Sequence, residues 1–272
     1  MKKSALFILT FVFALSFISK GMSYNDTIPQ HDSLVVTSKF VNEDRVVNIW
    51  LPISYANSTE GFPVLYMPDG GIKEDFPHIA NTLQKLIAEN KIPPFILVGI
   101  ENTVRGRDLT GVSIVDDDKK YCPITDGAKD FRAFIVKELM PEINKRYNTN
   151  DYKGIIGESL AGLFVMETFL TQPETFDFYI AMDPSLWWND YYLEKNAAKL
   201  LQKFPQANKK LWFAGSATKG IAEATQSVEQ TLMKTSPENL VWKYSDEPKE
   251  EHHTIFRATK EKALIWSLNS DK

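Results

Sequence analysis

A serine flanked by small residues is the part of this sequence with the clearest potential for chemistry. Residues 157–162 read Gly-Glu-Ser-Leu-Ala-Gly, between an apolar segment at 153–156 and a segment with helical character at 160–170. Small flanking residues permit a sharp strand-to-helix turn that exposes the serine hydroxyl, an arrangement called a nucleophile elbow. Such a hydroxyl can attack an acyl carbon. The alternative role for Ser159 is to cap the following helix.

A serine nucleophile also needs a base, because its hydroxyl is a poor nucleophile at its own pKa. In proteins with this elbow, the acid and then the histidine follow the serine along the chain. Only His252 and His253 lie downstream of Ser159. They follow the last predicted strand, where a loop can bring an imidazole over the elbow, so either one is a candidate base.

The elements that must position these residues alternate between strand-like and helix-like segments. This alternation predicts one α/β domain with a mostly parallel sheet and helices on both faces. Segments 34–40 and 45–51 have a period of two and predict an antiparallel hairpin that opens the sheet. Continuous apolar runs predict strands buried on both faces at 63–67 and 95–100. Later strands are predicted near 155 and at 178–182, 210–214 and 240–244, with helices at 79–90, 129–147, 191–204, 221–234 and 254–268.

The first residues have the order of a secretory signal peptide. Two lysines precede an apolar run at 5–18, and polar residues follow it. The run is short for a membrane span, so we expect a signal peptide at 1–22 and a single domain at 23–272. We also expect a periplasmic or secreted location, with no stable membrane span after cleavage. A retained anchor helix is the alternative, because no clean small-residue cleavage site stands between Ser19 and Tyr24.

Composition excludes several other classes of function. The net charge is -4 and no block of basic residues occurs, so the chain lacks the electrostatic pattern of a nucleic-acid-binding protein. Cys122 is the only cysteine, which excludes an intramolecular disulfide and a thiolate metal cluster. We expect no metal and no cofactor in the reaction.

Six ordered motifs resemble the "putative esterase" family of α/β hydrolases. This family includes siderophore, feruloyl and acetyl-xylan esterases, S-formylglutathione hydrolase and mycolyltransferases. The chain departs from the family pattern at Gly111, at Ala161 and at Asp183, where the family has a proline, a glycine and a small residue, respectively. The motif at 105–110, Arg-Gly-Arg-Asp-Leu-Thr, is most similar to the periplasmic siderophore esterases. The other five motifs lie at 63–70, 92–100, 134–141, 157–162 and 184–188.

The resemblance implies roles for the remaining catalytic residues. In the family, the catalytic histidine is followed by a small residue, then a hydroxyl residue and then an aliphatic residue. This order implies that His252 is the base and leaves His253 as the alternative. The acid normally follows the strand that here ends near 215, and the first carboxylate available is Glu223. A glutamate in the first turn of a helix can instead serve the helix dipole. A serine–histidine dyad is also open, and the other acids that remain open are Asp246, Glu250 and Glu251.

Two backbone N–H groups are expected to stabilise the oxyanion that develops during acyl transfer. The resemblance assigns them to Leu160, which follows the nucleophile, and to Gly71, which follows an Asp-Gly pair. An ordinary turn is the alternative explanation for the glycines at 70 and 71.

Arginine and tryptophan side chains are candidates for substrate binding. Arg105 and Arg107 could hold a polar or anionic edge of the substrate, because guanidinium is a rigid fork of donors. A structural salt bridge with Asp108 is the alternative. Trp187 and Trp188 follow the strand after the elbow; we expect one to be core and the other to be a wall for an aromatic acyl or catechol group.

Together these features predict a serine carboxylic-ester hydrolase that acts through an acyl-enzyme on a small polar or aromatic ester of the siderophore-esterase kind. A feruloyl or acetyl-xylan type of carbohydrate esterase remains an alternative. So does a non-catalytic ligand-binding protein on the same fold, because fold does not imply function. Acyl transfer to another alcohol shares the acyl-enzyme and is open as well.

Overall fold

The computed structural model of this protein describes residues 26–269. The expected signal peptide at 1–22 lies outside the described residues. No helix among residues 26–269 combines the length and the apolar character that a membrane crossing requires.

An eight-stranded sheet forms the centre of the fold. Its strands lie in the order β1-β2-β4-β3-β5-β6-β7-β8. β1 and β2 form the predicted antiparallel hairpin, β2 pairs antiparallel with β4, and all other neighbouring strands are parallel. The strands are β1 (Asp32–Ser38), β2 (Glu43–Trp50), β3 (Phe62–Pro68), β4 (Ile96–Ile100), β5 (Thr149–Glu158), β6 (Phe178–Met182), β7 (Lys209–Ser216) and β8 (Leu240–Glu247).

Helices connect the parallel strands and cover the sheet. A short 3₁₀ helix, Ile53–Asn57, joins β2 to β3. The remaining helices are α1 (Phe76–Ala88), α2 (Arg105–Leu109), α3 (Asp116–Tyr121), α4 (Ala128–Phe134), α5 (Met140–Arg146), α6 (Leu160–Thr171), α7 (Trp188–Leu201), α8 (Ile221–Thr235) and α9 (Ile255–Leu268). A π-helical turn, Ile135–Leu139, joins α4 to α5, so the helix predicted at 129–147 is one helical stretch of three parts.

The two faces of the sheet carry separate hydrophobic cores. α1 and α9 pack on one face around Ile79, Trp212 and Leu264. α4 to α8 pack on the other face around Phe134 and Phe164. Every residue of β4 and β6 is buried, as the continuous apolar runs predicted. The architecture confirms the expected α/β-hydrolase class: a mostly parallel sheet with an N-terminal antiparallel hairpin and helices on both faces.

Candidate active site

Ser159 lies on the sharp turn between β5 and α6. Its backbone has φ 60° and ψ -119°, a conformation that costs energy in any residue other than glycine. A Cβ on Gly157 would lie 2.6 Å from the backbone carbonyl of Ala161, which explains the glycine before the serine. The strand-turn-helix context expected of a nucleophile elbow is therefore present.

The end of β6 holds this strained turn in place. The N–H of Ser159 donates to the carbonyl of Met182 at 3.0 Å, and the N–H of Ser185 donates to the carbonyl of Ser159 at 3.1 Å. Because both backbone groups of Ser159 are bonded, the hydroxyl is fixed above the carboxyl ends of the parallel strands.

His252 contacts the serine hydroxyl from the loop between β8 and α9. Its Nε2 lies 2.9 Å from Ser159 Oγ. The N–H of His252 donates to Thr218 Oγ1 at 3.0 Å, which ties the loop to the end of β7. His253, the rival base, is exposed. Of the two candidate histidines, the structure therefore brings His252 to Ser159.

Asp183 completes the constellation and is the acid that the sequence interpretation missed. Its Oδ2 accepts a hydrogen bond from His252 Nδ1 at 2.6 Å. Two donors of Ser216 fix the carboxylate: the N–H bonds Oδ1 at 2.6 Å and the hydroxyl bonds Oδ2 at 2.9 Å. Asp183 is fully buried. The three side chains thus form a continuous hydrogen-bonded series from Ser159 through His252 to Asp183.

Glu223 was the wrong choice for this acid. It is exposed in the first turn of α8, where its carboxylate accepts the N–H of Gly220 at 2.5 Å. The capping hydrogen bonds hold the pKa of Glu223 below its usual value. The family pattern places the acid after β7, whereas in this structure the acid follows β6 directly. The available signal was Asp183 itself, a carboxylate in place of a small residue before Pro184.

The electrostatic surroundings of His252 suit a base. Burial alone would lower the pKa of its imidazole, but the hydrogen bond to Asp183 and the charges of Glu158 and Asp183 outweigh burial and raise it. Asp183 also fixes the ring orientation, because an acceptor at Nδ1 keeps the proton there and leaves Nε2 free to accept.

Glu158 is a second carboxyl group at the elbow. Its Oε1 lies 3.6 Å from His252 Nε2, and its side chain is 17% exposed. Burial raises the pKa of Glu158 to about 8, an effect that the nearby His252 partly offsets. A carboxyl group with a strongly raised pKa beside a nucleophile is typical of functional sites.

The two expected oxyanion donors differ in availability. Leu160 is the first residue of α6, so its N–H has no acceptor within the helix. The N–H of Gly71 instead donates to Glu74 Oε2 at 2.7 Å. Asn102 Nδ2 donates to the other oxygen of Glu74 at 3.0 Å and so holds the carboxylate in position. In this conformation Gly71 can reach a substrate only if Glu74 moves, and its oxyanion role stays a prediction.

Arg105 and Arg107 have different surroundings. Arg105 forms a two-pronged ion pair with Asp69, with both N–O distances 2.7 Å, and keeps 35% of its side chain exposed. Arg107 bonds Asp108 at 2.7 Å and Glu43 of β2 at 2.6 Å. The substrate role expected of Arg107 is therefore not supported: the structure favours the alternative, a salt bridge that fastens α2 to β2.

A cavity of about 390 Å³ opens beside Leu160 and Arg105. Tyr121 lines it and makes an edge-to-face contact with half-buried Trp187 at 5.2 Å between ring centroids. Trp188 is 5% exposed, and its indole N–H donates to the carbonyl of Gly111 at 3.1 Å. As expected of the pair, Trp188 is core, and Trp187 is the tryptophan whose ring packs against the wall of this cavity.

Residues 26–269 contain no cluster of three or more histidine, cysteine or acidic side chains arranged to hold a metal ion. The side chains of Ser159, His252 and Asp183 are arranged for proton transfer.

Comparisons with known proteins identify the family of this chain. The model of the family described as "Putative esterase" matches residues 38–266. The ferri-bacillibactin esterase of Bacillus subtilis (strain 168) is 31% identical over 190 residues, which are 64% of this chain and 65% of that protein. The apo-salmochelin esterase of Escherichia coli O6:H1 is 24% identical over 83% of this chain and 76% of its own length.

A solved structure is similar over most of the fold. The IroE-like serine hydrolase from Shewanella oneidensis superposes with a TM-score of 0.80 and 28% identity, over 87% of this chain and 79% of that chain. The chain thus spans slightly less than two thirds of the Bacillus relative and about four fifths of the Shewanella structure. The family match covers both the elbow and His252, and the chain belongs to the putative esterase family.

Proposed function

We propose that this protein is a serine carboxylic-ester hydrolase that acts through an acyl-enzyme on polar or aromatic esters of the siderophore-esterase kind. The observation that carries the proposal is the hydrogen-bonded series Ser159, His252 and Asp183. Membership of the putative esterase family supports it.

The geometry supports the usual two-step chemistry of such a triad. Ser159 Oγ attacks the ester carbonyl while His252 Nε2, 2.9 Å away, takes the hydroxyl proton. The imidazolium is stabilised by Asp183 and then donates that proton to the leaving alcohol. A water molecule enters, gives its proton to His252 and attacks the acyl-enzyme, which releases the acid and restores Ser159. This sequence of proton transfers needs no further reactant.

The tetrahedral oxyanion is assigned to the N–H of Leu160, with that of Gly71 as the second donor once Glu74 has withdrawn. The N–H of Leu160 is already oriented, and such a donor stabilises the transition state without reorganising. The positive end of α6 lies at the same place and favours negative charge on the oxygen.

The substrate class rests on the cavity and on the relatives. A cavity of about 390 Å³ is large enough for one aromatic ring with polar substituents. Tyr121 and Leu160 supply apolar surface, and Arg105 supplies charged donors. Both curated relatives described above carry names of siderophore esterases. A siderophore-type ester with an aromatic acyl group therefore fits better than an acetylated sugar.

One alternative from the sequence now carries less weight. A non-catalytic binding protein on the same fold is less well supported, because Asp183 completes the hydrogen-bonded series with His252 and Ser159.

For location, the charged and apolar order of residues 2–18 supports export to the periplasm or beyond. Comparing the N-terminus of the mature protein from fractionated cells with the encoded one tests this proposal.

Hydrolysis and active-site labelling test the proposed activity. We expect the wild-type protein to hydrolyse short p-nitrophenyl esters and to be labelled by a fluorophosphonate. Ser159→Ala should lose both properties, and His252→Ala should lose at least about a thousandfold in kcat. Glu223→Gln, which removes an exposed carboxylate, is the matched control. Equal labelling of wild type and Ser159→Ala would overturn the assignment.

A further inference from the structure

Glu158 is a buried carboxyl group that the catalytic steps leave unused. Among residues 26–269, no donor lies within hydrogen-bond distance of its carboxyl oxygens, and its nearest charged neighbour is His252 Nε2 at 3.6 Å. Carboxyl groups with so little exposed surface normally have a donor, because losing water without one is costly. The oxygens of Glu158 are not among the fully buried atoms that lack a partner, so they remain open to the cleft, from which a ligand can reach them.

Two acidic and two basic groups surround Glu158. Asp69, Asp75, Arg105 and His252 are the charged groups that influence it. Asp69 neutralises Arg105 in the two-pronged ion pair, and Asp75 lies 2.9 Å from the buried ring of His78. Of the two basic groups, Arg105 is already paired with Asp69, and His252 is uncharged while it serves as the base, so neither fully compensates a negative charge on Glu158. A positively charged ligand group suits this position, and an anionic group does not.

The proton transfer places one part of the substrate beside Glu158. His252 Nε2 must come within hydrogen-bond distance of the leaving oxygen, because it protonates that oxygen. Since Glu158 Oε1 lies 3.6 Å from the same nitrogen, a substituent three bonds beyond the leaving oxygen falls within its reach. The residue thus faces the alcohol part of the ester.

We propose that Glu158 is a specificity-determining residue that selects leaving alcohols carrying a positively charged nitrogen on the carbon next to the C–O carbon. This inference rests on the proposed esterase function and extends it to the alcohol side of the substrate. The class it identifies is esters of 2-aminoethanol-type alcohols, in which the nitrogen is a protonated amine or a quaternary ammonium.

The ionisation of Glu158 supplies a signature that separates recognition from catalysis. Burial raises its pKa to about 8, so the carboxylate form, which attracts a cation, gains population as the pH rises from 6 to 9. His252 must be neutral for both a cationic and a neutral ester, so its titration cancels in the ratio of their kcat/KM values. That ratio should rise with pH only where Glu158 is present.

A pair of isosteric esters tests the proposal. Acetylcholine and 3,3-dimethylbutyl acetate have the same shape and differ in the charge of the central atom. We expect wild type to prefer acetylcholine by about five- to tenfold in kcat/KM at pH 8.5, the contribution of one partly screened ion pair. Glu158→Gln should bring the ratio close to one, and Glu158→Asp should give an intermediate value.

The control removes the same charge at the opposite end of the sheet. Glu174 is exposed before the amino end of β6, and Glu174→Gln should keep the wild-type preference. A ratio near one in wild type, or a preference retained in Glu158→Gln, would overturn the role of Glu158. If wild type hydrolyses neither ester nor any p-nitrophenyl ester, the proposed function itself fails. The pH dependence of the wild-type ratio tests the inference even if Glu158→Gln does not fold.

Discussion

Replacing Asp183 with asparagine separates the observed acid from the one that the sequence suggested. Asp183 accepts three hydrogen bonds, two from Ser216 and one from His252 Nδ1. Asparagine has one acceptor oxygen and one NH₂ group. If its oxygen keeps the bond to the N–H of Ser216, the NH₂ group faces His252 Nδ1.

The expected loss follows from the tautomer that this arrangement imposes. An NH₂ donor at Nδ1 moves the ring proton to Nε2, and a protonated Nε2 cannot accept the proton of Ser159. The corresponding substitution in a serine protease lowers kcat about 10⁴-fold, so we expect a loss of ~10³ to 10⁴, or roughly 4 to 5.5 kcal/mol of transition-state stabilisation.

The assay compares kcat/KM for p-nitrophenyl acetate in wild type, Asp183→Asn and Glu223→Gln, with thermal unfolding to verify that each variant folds. Glu223→Gln should stay within about twofold of wild type, because an exposed cap contributes little to the site. Removing the Asp183 charge should also move the acid limb of the pH profile to lower pH, since that charge raises the pKa of His252. A loss below tenfold in Asp183→Asn, or a larger loss in Glu223→Gln, would refute the assignment of the acid.

Three further predictions concern residues around the elbow. Gly157→Ala should unfold at a lower temperature and lose activity, because its Cβ would lie 2.6 Å from backbone atoms. The control Gly111→Ala should behave like wild type, because the nearest atom to its Cβ would be a side-chain oxygen at 3.2 Å. Equal thermal unfolding temperatures for the two variants contradict this account. Because the pKa of Glu158 is raised, the folded state holds its proton more tightly than the unfolded state does. In urea titrations, the unfolding free energy of wild type relative to Glu158→Gln should therefore fall as the pH rises from about 4.5 to 8, by at most about 1.4 kcal/mol per pH unit. A difference that stays constant with pH contradicts this prediction. Glu74→Ala should free the N–H of Gly71 and speed fluorophosphonate labelling by roughly twofold to tenfold, whereas slower labelling would show that Glu74 holds the loop in its reactive shape.

The sequence predicted the fold well because the buried strands carry an unambiguous pattern. The strand at Phe178–Met182 matches its predicted bounds, since a short apolar run flanked by polar residues has one stable location in a parallel sheet. Residues 101–128, between a predicted strand and a predicted helix, contain α2 and α3, which the sequence pattern does not predict. Both helices are only five or six residues long, too short for a periodic pattern to be visible.

The candidate site was predictable where it depends on local order and not where it depends on distant contacts. Ser159 and His252 follow from an elbow motif and from the order of residues along the chain. In the sequence, Asp183 stands out only as an unusual residue before a proline. Nothing in the local sequence shows that its carboxylate accepts hydrogen bonds from Ser216, at the end of the neighbouring strand β7, and from His252. The contact of Glu74 with Gly71 and the ion pairs of Arg107 are likewise tertiary features, so the sequence could not decide between their alternative roles.

Trapping the acyl-enzyme tests the central claim most directly. Wild type and Asp183→Asn are mixed with a slowly hydrolysed aromatic p-nitrophenyl ester, quenched in acid and analysed by intact-protein and peptide mass spectrometry. The account predicts a single acyl group on the peptide that contains Ser159, formed quickly in wild type, far more slowly in Asp183→Asn, and not at all in Ser159→Ala. Ester hydrolysis that continues in Ser159→Ala, or an acyl group carried by another residue, would contradict it.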